Sequence, residues 1–252
     1  MNANWPLIGC ITVIAVCAIA GTSRAHEAAE CRFPESGNSS ASEAEPRIAA
    51  CKSSLSANPN DSAAQLTLGR LELLTRDYAQ AERDLSAAIT LDPKRAQGWA
   101  DRCNARLMQQ NTTDAMPDCT QAIALDPKLP GPYFARGEMN MIRADYADGL
   151  DDIDRAVALV PQRPPLFDYW RAKANYGLHR WPDTVADITH YAITVADDPD
   201  AFRLRAGAHI NLKHFDLAID DLKRAKAIYV RTGDAQRAAR MDELIAKFSA
   251  PQ

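Results

Sequence analysis

Pro59, Pro93, Pro127 and Pro161 follow one another at intervals of 34 residues. Three of them close an Asn-Pro or Asp-Pro pair: Asn58-Pro59, Asp92-Pro93 and Asp126-Pro127. Proline fixes φ and lacks an N–H, so each one interrupts regular structure at the same place in a recurring unit. A unit this short cannot bury a core alone; it gains one by stacking against copies of itself. The chain therefore reads as a row of repeats before it reads as anything else.

Numbering each unit so that this proline is position 32 brings other residues into register. Position 8 is Gly69, Cys103, Gly137, Ala172 and Ala206; position 20 is Ala81, Ala115, Gly149, Thr184 and Ala218; position 27 is Ala88, Ala122, Ala156, Tyr191 and Ala225. Small residues at 8 and 20 let two antiparallel helices approach closely, and those at 27 admit the next pair. Larger side chains fill position 24 (Leu85, Ile153, Ile188, Leu222) and position 17 (Tyr78, Tyr146, Trp181, Phe215). Trp99 stands at position 4.

In this pattern the chain resembles the tetratricopeptide repeat family, a helix–turn–helix unit of the same period. The resemblance covers about residues 47 to 228. It implies an all-α, right-handed superhelical solenoid with a C-terminal capping helix. Four segments are expected: a signal peptide over 1–25, a polar arm over 26–45, a solenoid of a half repeat plus five repeats over 46–228, and a capping helix with a tail over 229–252. Arg47 to Ala57 reads as a lone second-type helix with Cys51 at position 24. Ala235 to Phe248 reads as the cap, since terminal repeats need a polar outer face. The fourth unit departs from the pattern. It holds one extra residue before Arg171, Tyr191 is bulky for position 27, and Pro199 comes 38 residues after Pro161; distorted stacking is expected there.

Charge recurs with the same period. Asp84, Asp118, Asp152, Asp187 and Asp221 hold position 23, while Arg102, Arg136, Arg171 and Arg205 hold position 7, where the first repeat has Leu68. Half-buried ions need partners. A ladder is expected in which each Asp meets the Arg of the following hairpin, and Asp221 meets Arg237 or Arg240 of the cap. Pairing inside each hairpin is the alternative.

Trp5 to Ala20 is an apolar run of sixteen residues, short of the ~20 that span a bilayer as a helix. Ser23-Arg24-Ala25 follows as a small-x-small cleavage site before His26. Export with cleavage is expected, and membrane contact only through this segment if it stays uncleaved; with the resemblance, the destination reads as a bacterial periplasm. Cys31, Cys51, Cys103 and Cys119 then remain, an even number that permits two disulfides. Cys103 and Cys119 lie at equal distance from one hairpin turn, so they form either a disulfide or two buried thiols. Cys31 with Cys51 is the other pair, tying the arm to the first helix.

Chemistry of other kinds finds little support. A net charge of -4 argues against a nucleic-acid surface. His209 and His214 are five apart and miss the i, i+4 spacing of a helical zinc pair. No phosphate loop or nucleophile motif is present, so no cofactor, no metal and no catalytic residue are assigned. What the resemblance implies instead is a concave groove lined by first helices, chiefly through positions 2, 5, 6, 9, 12 and 13. Those are Leu66, Arg70 and Leu73; Gln97, Asp101, Asn104 and Met108; Phe134, Glu138 and Met141; and Tyr169, Trp170, Lys173 and Tyr176. Mixed polar and aromatic residues suit an extended peptide or a helix laid in a groove. Family members that bind acidic chaperone tails carry Lys and Asn at positions 5 and 9 of the first repeat and basic residues in the third. Leu66, Arg70, Gly131 and Ala135 stand there, so that role is not implied. The expected function is a non-catalytic interaction scaffold or assembly factor with a protein or peptide partner. The alternatives are an accessory subunit docking on a cell-envelope enzyme or secretion complex, and, third, a metal-dependent enzyme.

Overall fold

A computed structural model describes residues 31–33 and 41–249. The expected signal peptide, its cleavage site, His26 and most of the polar arm lie outside the described residues. Twelve α-helices and no strand are found among the described residues: α1 Ala41–Ala57, α2 Ser62–Thr75, α3 Tyr78–Leu91, α4 Ala96–Met108, α5 Thr112–Leu125, α6 Pro130–Ile142, α7 Tyr146–Leu159, α8 Pro165–Gly177, α9 Trp181–Thr194, α10 Pro199–Asn211, α11 Phe215–Arg231 and α12 Ala235–Ser249. This is the all-α repeat architecture the period predicts. The chain divides into two compact units, one running to Met139 with Ala158–Val160 and the other comprising Asn140–Val157 and the residues from Pro161 on.

Each hairpin turn is built alike. Position 15 takes a left-handed conformation in every repeat: Arg76, Gln110, Ala144, His179 and Lys213 have φ between 60° and 64°. A left-handed residue just past a helix end lets its N–H close on the last-turn carbonyls; Arg76 N–H, for example, donates to the Leu73 carbonyl at 3.2 Å. Position 16 then starts the second helix. Asp77 accepts from Gln80 N–H and Asn111 from Asp114 N–H, caps that satisfy amides the helix itself cannot.

In the first unit the hairpins α2–α3 and α4–α5 pack on each other, and α1 packs on α2. Gly69 explains why position 8 is small. A Cβ there would fall 2.6 Å from Leu85 Cγ and 3.3 Å from the Ala81 carbonyl oxygen. In the next hairpin the same place belongs to Cys103, which stands at disulfide distance from Cys119 with Cα atoms 5.4 Å apart and both residues fully buried. Leu66, Ala81, Leu85, Ala88 and Ala105 form the apolar centre between hairpins one and two. Helix α1 starts at Ala41, earlier than the Arg47 start read from sequence, and passes through Pro46.

In the second unit α8–α9, α10–α11 and α12 stack in order. The additional residue of the fourth repeat sits between α7 and α8, in the connection ending at Pro164. Pro199 is not a displaced position-32 proline. It opens α10, as Pro130 and Pro165 open α6 and α8, where a missing N–H costs little. Tyr191 is accommodated at position 27 by turning its hydroxyl onto Asp198 Oδ2, 2.8 Å away. The last helix lays Ala238 and Met241 against Leu222, Ala225, Ile228 and Tyr229, and Phe248 stacks on Phe215 with ring centroids 5.8 Å apart.

Candidate interaction surface

The recurring charges are structural, and their pairing corrects the expected ladder. Arg102 donates to Asp118 through Nε and Nη2, both at 2.8 Å. Arg205 meets Asp221 at 2.8 and 2.6 Å, and Arg171 grips Asp187 through Nε at 3.0 Å and also through Nη2. All three pairs lie inside one hairpin. Arg237 and Arg240 take Asp234 and Glu243 instead of Asp221. The remaining nitrogen of these three arginines reaches back to position 25 of the preceding hairpin: Arg102 Nη1 to Ser86 Oγ at 3.0 Å, Arg205 Nη1 to Thr189 Oγ1 at 3.0 Å, Arg171 Nη1 to Asp154 at 3.7 Å. Repeat one inverts this. Its preceding position 25 is Lys52, 4.0 Å from the Glu72 carboxyl; an arginine in place of Leu68 would face that cation. Asp84 is satisfied by Gln65 Nε2 at 2.7 Å and Gln80 Nε2 at 2.8 Å.

Sequence reading missed position 11, which also faces the position-23 acid. Arg106 Nη1 donates to Asp118 at 2.8 Å, Asn140 Nδ2 to Asp152 at 3.3 Å and Asn175 Nδ2 to Asp187 at 2.9 Å. Glu72 occupies the same place in repeat one, 2% exposed. Burial, followed by the neighbouring Asp84 carboxyl, pushes its pKa up to about 9, so it is held as the neutral acid. His209 fills the place in repeat five, and burial lowers its pKa. Another missed residue is Asp168, at the position where Trp99, Tyr133 and Phe202 stand in repeats two, three and five. It is fully buried and is met by Arg163 Nη2 at 2.8 Å and His190 Nδ1 at 2.6 Å. No group of three or more metal-ligating side chains with a suitable arrangement occurs among the described residues.

The expected groove residues divide by burial. Within the first unit Leu66 and Phe134 are buried among helices, and Asp101 is 4% exposed. Desolvation raises the Asp101 pKa to about 6, against the opposing pull of Arg70 and of Gln97, whose Nε2 donates to Oδ1 at 2.8 Å. Arg70 Nε stands 3.4 Å from Asp101 Oδ2. Gln97, Asn104, Met108 and Glu138 keep part of their surface open. Within the second unit Met141 and Tyr169 are buried, the latter against Tyr191 with centroids 5.4 Å apart. Trp170, Lys173 and Tyr176 remain half-exposed. Lys173 Nζ lies 4.0 Å above the Trp170 ring, a cation–π contact, and Tyr176 meets Trp181 edge-on at 5.0 Å. The accessible set is thus narrower than the sequence list: polar and thioether groups in one unit, an aromatic pair with a lysine in the other.

No protein-family model matches the sequence, and no curated protein matches it. Solved structures do match the fold. One is YrrB, described as a tetratricopeptide repeat protein with an unusual peptide-binding site, with a TM-score of 0.66 at 14% identity, over 78% of this chain and 99% of that one. A tetratricopeptide repeat protein from Parabacteroides merdae follows with TM-score 0.58 at 13% identity, over 84% and 89%. Yeast Tom70 matches with TM-score 0.52 at 20% identity, over 80% of this chain and 42% of its own. The fold of this chain is that of a tetratricopeptide repeat protein.

Proposed function

We propose that this chain is a non-catalytic interaction scaffold or assembly factor that holds a protein segment against its first helices. One observation carries the reading. The recurring charges Arg102, Asp118, Arg171, Asp187, Arg205 and Asp221 are consumed by pairing inside hairpins, while Gln97, Asn104, Met108, Trp170, Lys173 and Tyr176 keep part of their surface exposed on the first helices. Such surfaces suit an extended peptide or a helix, with aromatic and thioether contacts for affinity and amides for register. YrrB, a tetratricopeptide repeat protein with an unusual peptide-binding site, offers a parallel.

The place of action is the bacterial periplasm. The apolar N-terminal segment with its small-x-small site supports export, and two disulfides, Cys31–Cys51 and Cys103–Cys119, suit an oxidising compartment. No helix among the described residues is long and apolar enough to cross a membrane. The second reading, an accessory subunit docked on a cell-envelope enzyme or secretion complex, uses the same surface. Crosslinking in intact cells, followed by purification and mass spectrometry, tests both. A defined partner lost on Trp170→Ala/Tyr176→Ala substitution is expected. Absence of any partner, or equal capture by that variant, overturns the surface assignment. N-terminal sequencing of the exported protein should begin at His26.

A further inference from the structure

Cys31, Arg32 and Phe33 precede α1 and are held by three separate contacts. Cys31 is disulfide-bonded to Cys51 on α1, Cα atoms 4.3 Å apart. Its sulfur lies 3.8 Å from the Ala64 carbonyl oxygen at the start of α2. Arg47 Nη1 donates to the Arg32 carbonyl at 3.1 Å. Together these place Phe33 against the cluster of Ala44, Ile48, Leu68 and Leu71. They also bring its ring face to 3.7 Å from the centre of the Arg70 guanidinium. Arg70 is position 9 of the first hairpin, one of the residues expected to hold a guest. Asp101 engages the guanidinium as well, and only 19% of the Arg70 side chain is exposed. The planar cation is therefore covered by an aromatic ring from the chain itself.

We propose that Cys31–Phe33 is a built-in occupant of the guest surface of the first hairpin, latched there by the Cys31–Cys51 disulfide, and that the guest it competes with is an extended segment presenting an aromatic side chain to Arg70. The proposal rests on the peptide-holding function above and deepens it. Two features argue for occupancy over simple chain termination. The segment is non-helical where its ring meets Arg70. A guanidinium face also favours aromatic partners over aliphatic ones. A short tether gives the occupant an effective concentration on the order of millimolar. A free segment of the same chemistry that binds at about 100 μM would thus be weakened about tenfold while the latch is closed.

The test uses a fluorescein-labelled peptide of residues 29–36 carrying Cys31→Ser, titrated by anisotropy against oxidised full-length protein. Four proteins are compared: the wild type, Phe33→Ala, Cys31→Ser/Cys51→Ser, and Phe33→Ala with Arg70→Ala. Binding to Phe33→Ala should be about tenfold tighter than to wild type, and binding to the double serine variant should be tighter by a smaller factor, because Phe33 stays tethered to α1 through the chain. Adding Arg70→Ala should remove that gain. Equal affinity for wild type and Phe33→Ala overturns the proposal, as does absence of binding to Phe33→Ala at millimolar protein, or binding that ignores Arg70→Ala. Phe33→Ala keeps both disulfides, so it decides the matter even where the serine variant is poorly folded. Failure here is separable from failure of the general function. A cellular partner captured equally by wild type and Phe33→Ala leaves the scaffold standing and removes the latch, whereas tight peptide binding without any cellular partner does the reverse.

Discussion

Glu72 is the residue whose replacement says most about this fold. Its carboxyl is buried beside Asp84, and its pKa rises from 4.5 to about 9. A folded-state pKa above the unfolded value means that the native protein binds the extra proton. The associated stability is therefore complete below pH 4.5 and is lost as pH climbs toward 9. Each pH unit in that window costs about 1.4 kcal/mol, so roughly 3 kcal/mol is already gone at pH 7. Glutamine keeps the shape of the neutral acid, cannot ionise, and offers Asp84 an N–H donor, as Asn140 and Asn175 do for their own aspartates. Glu72→Gln should therefore stabilise the protein by about 1 kcal/mol at pH 5.5, rising to about 5 kcal/mol at pH 8.5. Urea denaturation followed by circular dichroism across that range measures the difference, and hydrogen exchange at α2 and α3 localises it. A stability gap that stays constant with pH would refute the reasoning, as would a variant less stable than wild type at pH 8.

Three other substitutions probe separate parts of the packing. Gly69→Ala puts a methyl 2.6 Å from Leu85 Cγ; overpacking of about 2–3 kcal/mol, less about 1 kcal/mol of helix propensity, should lower stability by about 1–2 kcal/mol in thermal melts. Ala144→Gly relieves a left-handed alanine at φ 64° and should raise stability by about 0.5–1 kcal/mol after glycine's added chain entropy, whereas Ala144→Val should lower it. Arg205→Leu strands the buried Asp221 carboxylate and should cost about 3–5 kcal/mol, most of it recovered in Arg205→Leu/Asp221→Leu; equal instability of single and double variants would contradict the pairing described.

The 34-residue spacing made the helices, their pairing and the small-residue contacts legible, because one geometric demand recurs in every unit. It also made Cys103 and Cys119 readable as neighbours, since both lie equally far from one turn. The same argument applies to positions 7 and 23, which flank the turn as symmetrically; the in-hairpin salt bridges follow from it, and the ladder reading overlooked this. Position 11 escaped notice because its residue type changes from Glu72 to Arg106, Asn140, Asn175 and His209 while its task, facing an aspartate, does not. Position 15 was hidden for the opposite reason: no glycine marks the left-handed turns. Phe33 and Asp168 lie off the periodic pattern, one ahead of the array and one where an aromatic is expected, so only three-dimensional contacts reveal them. The groove list erred toward breadth, because first-helix residues such as Leu66 and Phe134 turn into the packing between helices.

The fork of Arg102, Arg171 and Arg205, one branch on its own aspartate and another on the hairpin before, makes the order of hairpins matter. A tandem copy of the second unit would arrive with its own cation and find at position 25 of the unit before it the hydroxyl of Thr120, as Arg102 finds Ser86, whereas a tandem copy of the fifth would set its arginine against Lys223. A copy of the first, with Leu68 and a protonated Glu72 suited to follow Lys52, would bring an acid pair into the middle of the row with no guanidinium to meet it. Growth of such an array by gene duplication is thus open at the second unit and closed at both ends, where a lysine holds position 25.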